Sequence, residues 1–367
     1  MNFKIKKQSL VPNLIYTAFS IIIILQYLAF ITITTGNILL VLLGSSSIAY
    51  CFFIRRYKIS FFLLFIMIYT FLGFTSFYYN NNADFIELFW PLGFMSIGSL
   101  LIFAKLSPKC TWTFYWIFAL SVLFAISIQG GITSFTANSS RNSISIYALM
   151  FFSTHMITAY RNKTSVNFIA VFPILIPSFI ALGRSGVLTS LLLLLFFILI
   201  DFNEGKASFK NIKLFLIECF IILLFFLLPE SFGLPIIDDV IVEFSRRGVQ
   251  SSRKEIWTDY IAKAFSSPAN ILFGAKISGT PALNFYSTNL HNSFLMLHAK
   301  FGLYGILLVL ILLFKTVICF IREKNMYLLV PLLAVIFRMN FDYTNFNAPL
   351  DVVMIFYILY LFYRRYP

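Results

Sequence analysis

The chain has 367 residues, of which 60% are hydrophobic and 11% charged, with a mean hydropathy of +0.88. Soluble domains carry about 25% charged residues, so this composition excludes an ordinary water-soluble globule. The formal net charge of +14 does not point to nucleic acid, because lysine and arginine sit in short clusters between apolar runs, the pattern that orients membrane helices.

Apolar runs of about 17–25 residues recur along the chain, long enough to cross a hydrocarbon core of about 30 Å. A β-barrel would show short alternating segments instead. The predicted fold is therefore an all-α polytopic membrane protein with about twelve transmembrane helices. The first apolar run, 11–33, is too long for a signal-peptide core and lacks a small-residue cleavage site, so no cleavable signal is expected. In chain order, helices are predicted over 12–31, 38–54, 60–78, 85–104, 111–128, 143–160, 166–182, 187–200 and 214–228. A long polar interval, 230–292, then precedes helices over 293–320, 326–340 and 348–362. Sharp breaks fall at Gly36-Asn37, at Asn80-Asn81-Asn82-Ala83-Asp84 and at Gly183-Arg184-Ser185-Gly186.

Orientation follows from the cations. Lys4, Lys6, Lys7, Arg55, Arg56, Lys58, Lys105, Lys109, Arg161, Lys163, Lys206, Lys210, Lys213, Lys315, Arg322, Lys324, Arg364 and Arg365 fall in or beside every second connection. The short turns near Gly36 and Asn81 have none. Both termini are therefore expected in the cytoplasm and the 230–292 loop outside it. Arg141, Arg184 and Arg338 are exceptions, lying at or near the outer boundary. An ionisable residue at membrane depth either marks function or snorkels to the interface, and the sequence leaves both readings open. No internal repeat is visible, so 1–367 is read as one membrane domain. Cys51, Cys110, Cys219 and Cys319 form no CxxC and no metal-ligand spacing, and are expected to be free thiols.

The chemistry is expected in and beside the loop. Residues 251–265 predict a short amphipathic helix, with Ser252 and Glu255 at capping-box spacing. Trp257, Ile261, Ala264 and Phe265 fall on one apolar face, which suits a helix lying on a membrane surface. Arg253 stands in its first turn, where it is either a solvated side chain or one end of an anion site. His291 precedes the next apolar run, and His298 lies two turns deeper. Histidine exchanges a proton near neutral pH, although a lone histidine at an interface also serves as a packing residue. His155, His291 and His298 are far apart in sequence and have no carboxylate at ligand spacing, so no metal site is predicted. Asp238, Asp239, Glu243 and Asp259 are alternative bases or simply a solvated face.

Five short stretches carry a resemblance. They are Gly183-Arg184-Ser185-Gly186, Arg253 with Ile256-Trp257, Phe273-Gly274, His291-Asn292-Ser293-Phe294-Leu295, and Phe301-Gly302-Leu303-Tyr304-Gly305. In this order, over roughly 183–311, the chain resembles the O-antigen polymerase and O-antigen ligase superfamily, whose frame is of the GT-C type. In the first half, Arg141 resembles an arginine found in an equivalent outer loop of that family.

The resemblance implies a cofactor-free, metal-independent glycosyltransferase of the bacterial inner (cytoplasmic) membrane, with its site facing the periplasm or cell exterior. Donor and acceptor would be undecaprenyl-pyrophosphate-linked oligosaccharides, and a polysaccharide chain-length regulator a protein partner. His291 would be the base or the group that orients the acceptor, Arg184 and Arg253 would hold the pyrophosphate, and Arg141 would assist. Asn292, Trp257, His298 and Arg338 form a second tier around them. Polymerisation of repeat units into O-antigen or capsule is the preferred activity, and ligation of glycan to lipid A-core the alternative. A flippase or transporter predicts charges in a central cavity and repeat symmetry. The sequence places its charges at the outer boundary and shows no repeat.

Overall fold

The computed structural model describes residues 3–55, 92–129, 141–205 apart from 182, 253–285 and 289–363 apart from 347, with isolated positions between 66 and 82 and at 213. Among the described residues the chain is helical. The helices are α1 (Phe3–Tyr27), α2 (Ile33–Arg55), α3 (Phe94–Phe103), α4 (Pro108–Gln129) and α5 (Arg141–Arg161). A 3-10 turn, Phe168–Val171, leads into α6 (Phe172–Ile180) and α7 (Arg184–Asn203). Three short helices follow, α8 (Arg253–Ala264), α9 (Pro268–Phe273) and α10 (Pro281–Phe285). The chain continues with α11 (Ser293–Arg322), α12 (Met326–Met339) and α13 (Asp351–Tyr363).

The expected frame of about twelve spanning helices, GT-C-like and with one long loop between the ninth and tenth, is overturned. Among the described residues four helices are long and apolar enough to cross a membrane: Leu10–Tyr27 of α1, Ile33–Phe53 of α2, α7 and α11. The chain is thus a membrane-associated helical protein, and its described residues hold fewer candidate spans than their hydropathy suggests. The physical reason is length and surroundings. The run 166–182 is split between the 3-10 turn and a nine-residue α6 with Pro177 inside it. Helices α3, α12 and α13 have 10, 14 and 13 residues, about 15–21 Å at 1.5 Å per residue. Every residue of α13 from 351 to 359 is buried in protein, whereas only 28–39% of each candidate span is. An apolar helix buried all round answers to the protein core, not to lipid.

The loop expectation changes likewise. Its described part, 253–285 and 289–292, is α8, α9 and α10 packed on the first turns of α11, with Ile256, Tyr260, Leu283, Leu290 and Met296 in one small core. Residues 230–252, including Asp238, Asp239 and Glu243, lie outside the described residues, as do the 214–228 run, Cys219 and most of the 60–91 stretch. In α8 the buried face is Ile256, Tyr260 and Ala264, while Ile261 and Phe265 are exposed. The helix is turned by about one residue from the expected face, because Tyr260 is drawn inward by its bond to His298 Nδ1 at 2.7 Å. Cys51, Cys110 and Cys319 are free.

A larger core runs through α1, α3–α7 and α11–α13. Within it α5 is central, carrying Phe151 and Phe152 alongside buried Ser153, Thr154, His155 and Thr158. One kink matters for the site. Gly302 interrupts α11 with φ 63° and ψ −167°, and a Cβ there would lie 1.9 Å from the Leu272 carbonyl oxygen. Only glycine takes this conformation and this contact together. The kink separates an arm, 293–301, that packs under α8–α10 from the rest of α11.

Hydrogen bonds define two ends of the bundle. At one, Arg161 donates to the carbonyls of Leu101 and Ala104, Tyr160 meets Tyr360 hydroxyl to hydroxyl at 3.1 Å, and Tyr360 donates to Glu323 at 2.8 Å. Lys105, Arg161, Lys163, Arg322 and Lys324 cluster around that end. At the other, the starts of α5, α7 and α11 meet the turn between α12 and α13. Asn80 and Asn82 join the short helices beyond this end, and Asn80 Nδ2 donates to the Phe273 carbonyl. Asn82 Nδ2 donates to the carbonyls of Ala275 at 2.6 Å and Ala299 at 2.8 Å, and its Oδ1 accepts from Ile277 N at 2.9 Å.

Candidate functional site

The turn after α12 places Asp342 at the meeting point of five helices. Its side chain is 5% exposed. One carboxylate oxygen accepts from Arg253 Nη2 at 3.2 Å and from Asn142 Nδ2 at 3.3 Å. The other is 3.1 Å from Arg338 Nη2 and accepts from Ser185 Oγ at 3.3 Å. The Asp342 carbonyl accepts from Ser293 Oγ at 2.8 Å. The start of α8 therefore brings Arg253, α5 brings Asn142, α7 brings Ser185, α11 brings Ser293 and the end of α12 brings Arg338.

Local sequence explains how these elements come so close. A Cβ on Gly183 would lie 2.5 Å from Asn142 Oδ1, and one on Gly186 would lie 2.5 Å from Ser145 Oγ. The two glycines thus let α7 abut α5 and aim Ser185 between Asp342 and Arg338. Arg338 is 1% exposed. It donates to Ser185 Oγ, to Ser145 Oγ at 3.2 Å and to the Asn142 carbonyl at 3.4 Å. A buried arginine is tolerated only when paired and hydrogen-bonded, and Asp342, four residues on, supplies the pairing.

The charge balance is uneven. Arg338 and Arg253 share one carboxylate. Arg184, exposed, opens α7 directly before Ser185. The N-termini of α5, α7, α8 and α11 also approach this turn, and each adds partial positive charge equivalent to roughly half an elementary charge. The Arg253 side chain is 24% exposed, so it stands at the rim while Arg338 lies behind it. Two arginines on one carboxylate, with helix N-termini beside them, are the groups that bind an anion with several oxygens.

His291 sits at the edge of this cluster. Its backbone is left-handed, φ 50°, a conformation that costs a non-glycine residue about 1–3 kcal/mol. The turn is held from several sides. His291 N donates to Asn289 Oδ1 at 2.7 Å, and Trp257 Nε1 donates to the Leu290 carbonyl at 2.8 Å. Asn292 Oδ1 caps α11 through Phe294 N and Leu295 N, and its Nδ2 donates to the Asn340 carbonyl at 3.0 Å. Burial first, and then the Arg253 charge, hold the His291 imidazole below its usual basicity, with Asp342 partly opposing them. Both effects favour the neutral ring, the form that accepts a proton.

The predicted residues divide into groups. Arg253, Arg338 and His291 gather with Asp342, and Arg184 stands beside them on α7. Asn292 and Trp257 fix the His291 turn. His298 points elsewhere: its Nδ1 meets the Tyr260 hydroxyl and its Nε2 the Ile271 carbonyl at 3.0 Å, which binds α11 to α8 and α9. Arg141 is the first residue of α5, next to Asn142, and its side chain lies outside the described residues. Asp342, Asn142 and Ser185 were not singled out from sequence. An acid four residues after a membrane-depth arginine is the signal that would have found Asp342. Among the described residues no three His, Cys, Asp or Glu side chains are grouped so as to hold a metal ion.

No protein-family model, curated protein or solved structure matches this chain.

Proposed function

We propose that this protein is a glycosyltransferase that polymerises undecaprenyl-pyrophosphate-linked oligosaccharide repeat units into O-antigen or capsular polysaccharide. The supporting observation is the meeting of Arg253, Arg338 and several helix N-termini at Asp342, with His291 at the edge of the cluster and its basicity lowered by burial and the Arg253 charge. Arg253 and Arg184 hold the diphosphate of the donor, with Arg141 in support. Arg338, buried, acts through Asp342 to fix the Arg253 guanidinium. His291 takes the proton of an acceptor hydroxyl as its oxygen bonds to the anomeric carbon. The bond from that carbon to the diphosphate oxygen breaks, and the lipid diphosphate leaves with both electrons. The site works at the outer face of a bacterial cytoplasmic membrane, since the basic clusters lie at the opposite end of the bundle and such clusters stay inside.

Proton transfer by a positioned base is worth about 10²–10⁴-fold, and preorganised charge stabilisation about 10²–10³-fold for each donor removed. Arg184→Ala, Arg253→Ala and His291→Ala should each abolish the polymer ladder while leaving protein in the membrane. Normal ladders in all three would end this reading. Deletion of the gene should leave lipid A-core bearing a single repeat unit. Core with no repeat unit would instead assign ligation of the finished glycan.

A further inference from the structure

The exposed face of α8 changes character along its length. At about 3.6 residues per turn, Lys254, Thr258, Ile261 and Phe265 fall within about 60° of one another, outside the buried face of Ile256, Tyr260 and Ala264. Phe265 N still donates to the Ile261 carbonyl at 3.0 Å, so the helical register holds to that residue. Lys254 and Thr258 are exposed at the start of this face. Ile261 and Phe265 are exposed at its end, by 44% and 71%. A helix lying flat in a membrane interface segregates polar and apolar residues around its axis. Here they segregate along the axis, which suits a helix inclined to the surface with its end as the deeper part.

The corner between α8 and α9 satisfies its own polar groups. The Lys263 carbonyl accepts from Ser266 N at 3.2 Å, Ser266 Oγ at 2.7 Å and Asn270 Nδ2 at 3.1 Å. Asn270 Nδ2 also donates to Ser266 Oγ at 3.0 Å, and Ser267 Oγ accepts from Asn270 N at 3.1 Å. Backbone close to hydrocarbon must be completed internally in this way. Helix α9 then lies across the kink of α11, with the Leu272 carbonyl and Phe273 against Gly302. Two residues on, Tyr304 begins an exposed stripe, Tyr304, Leu307, Ile311 and Phe314, at helical spacing and without a charge between them. Helix α11 is long and apolar enough to cross a membrane, so this stripe is its lipid-facing side and the corner sits at the top of it. Tyr78 and Tyr79 are exposed beside α9, the Tyr79 ring 5.1 Å from that of Phe273. Tyrosine is enriched at the level where membrane meets water.

We propose that this corner is a lipid-docking surface. Ile261 and Phe265 sink into the boundary between headgroups and acyl chains of the leaflet on the Asp342 side, and α9 rests at the same level. The two side chains lie about one turn apart, about 6 Å along the axis, comparable with the ~5–10 Å to which interfacial helices bury their apolar side. The occupant is lipid because the surface continues the exposed apolar stripe of α11 and is flanked by exposed tyrosines. The anchor is smaller than the apolar face expected from sequence, since Ala264 faces the protein and the Trp257 indole is bonded to Leu290. The other end of α8 carries Arg253, about 18 Å away at 1.5 Å per residue. A lipid-held end therefore fixes the height of Arg253 above the leaflet. This placement stands on α8, α9 and α11 and does not depend on the glycosyltransferase reading.

The test uses the full chain in nanodiscs of phosphatidylethanolamine and phosphatidylglycerol. Its background carries Cys51→Ala, Cys110→Ala, Cys219→Ala and Cys319→Ala. A nitroxide is attached in turn at Lys254→Cys, Thr258→Cys, Ile261→Cys, Phe265→Cys and Leu307→Cys, and its collisions with oxygen are compared with those with a water-soluble nickel chelate. The oxygen-to-nickel ratio at 261 and 265 should exceed that at 254 and 258 several-fold and approach that at 307. Equal ratios at the four α8 positions place the face in water and overturn the proposal. Labels at 261 and 265 that are immobilised and reached by neither reagent show a protein cover, from this chain or a second copy, and overturn it as well. If the cysteine-free chain does not fold, benzoylphenylalanine in place of Phe265 in the otherwise native chain decides. A photo-adduct with the mass of a phospholipid supports lipid docking, and an adduct to protein, or none, overturns it. Neither readout involves polymer, so this inference and the transferase reading fail separately.

Discussion

At the Asp342 end of the bundle, two arginines share one carboxylate. At the opposite end, two carboxylates share one hydroxyl: Tyr327 donates to Asp201 at 2.9 Å and to Glu204 at 3.2 Å. Asp201, fully buried, also accepts from Phe168 N at 2.6 Å, and Glu323 accepts from Tyr360. There, neutral donors complete the carboxylates, and the basic clusters stay at the surface. At the Asp342 end two guanidinium groups meet one carboxylate, Arg253 at the rim with 24% of its side chain exposed and Arg338 buried behind it. One end shows carboxylates met by hydroxyl and amide donors, the other a carboxylate met by arginines.

That contrast can be broken by substitution, and the largest effect should come from Asp342→Ala. It leaves Arg338 buried without its counter-charge. Losing one partner of a buried pair costs about 3–5 kcal/mol, so the variant should melt well below the wild type in detergent. An unchanged melting temperature would mean that Arg338 draws its stabilisation from the serines alone.

Arg253→Ala should behave differently, because the side chain is at the rim. Polymer formation should fall about 10²–10³-fold with a melting temperature close to wild type. A large loss of stability with activity retained would reverse the roles assigned to the two arginines.

A pH profile sharpens the comparison further. Burial and the Arg253 charge lower the His291 pKa below the usual histidine value of about 6.5; in the proposed mechanism this ring is the base. The acid limb of activity should therefore lie under that value. Asp342 raises the His291 pKa, so Asp342→Asn should move the limb lower still in whatever activity remains. Movement upward would show that His291 is not the group being titrated. By linkage, protonating a histidine held neutral by burial disfavours the folded state, so stability falls as pH drops from about 6.5 through the depressed value.

The smallest effect is expected at the closed end. Tyr327→Phe removes a hydrogen bond to buried Asp201, worth about 1.5–3 kcal/mol for a charged acceptor, and should lower stability with no change in polymer length. Loss of polymer there would mean that the two ends are coupled through α7 and α12.

Part of the site was readable before any coordinates. Arg253, His291 and the Gly183–Gly186 break stood out because they interrupt apolar sequence with groups that membranes penalise. Arg338 is legible as a cation at membrane depth, but nothing in its local sequence marks Asp342 as the centre of a site. Its importance comes from α5, α7 and α8 arriving from far along the chain, which no local spacing records. His298 shows the reverse. It shares a face of α11 with the region after His291, yet Tyr260 and Ile271 occupy both of its ring nitrogens.

Composition by itself fixed the helical, membrane-associated class, because so few charges and such long apolar runs have no other stable home. It also fixed which connections are basic, since that is written residue by residue. How many apolar runs cross the bilayer was decided by tertiary structure. A run such as 348–362 is equally apolar whether it faces lipid or, as α13 does, is wrapped by protein, and hydropathy measures transfer out of water without saying into what. The pairing of Asp342 with two arginines was decided there too, because a buried charge is set by what surrounds it in space, and its partners lie 4, 89, 157 and 200 residues away.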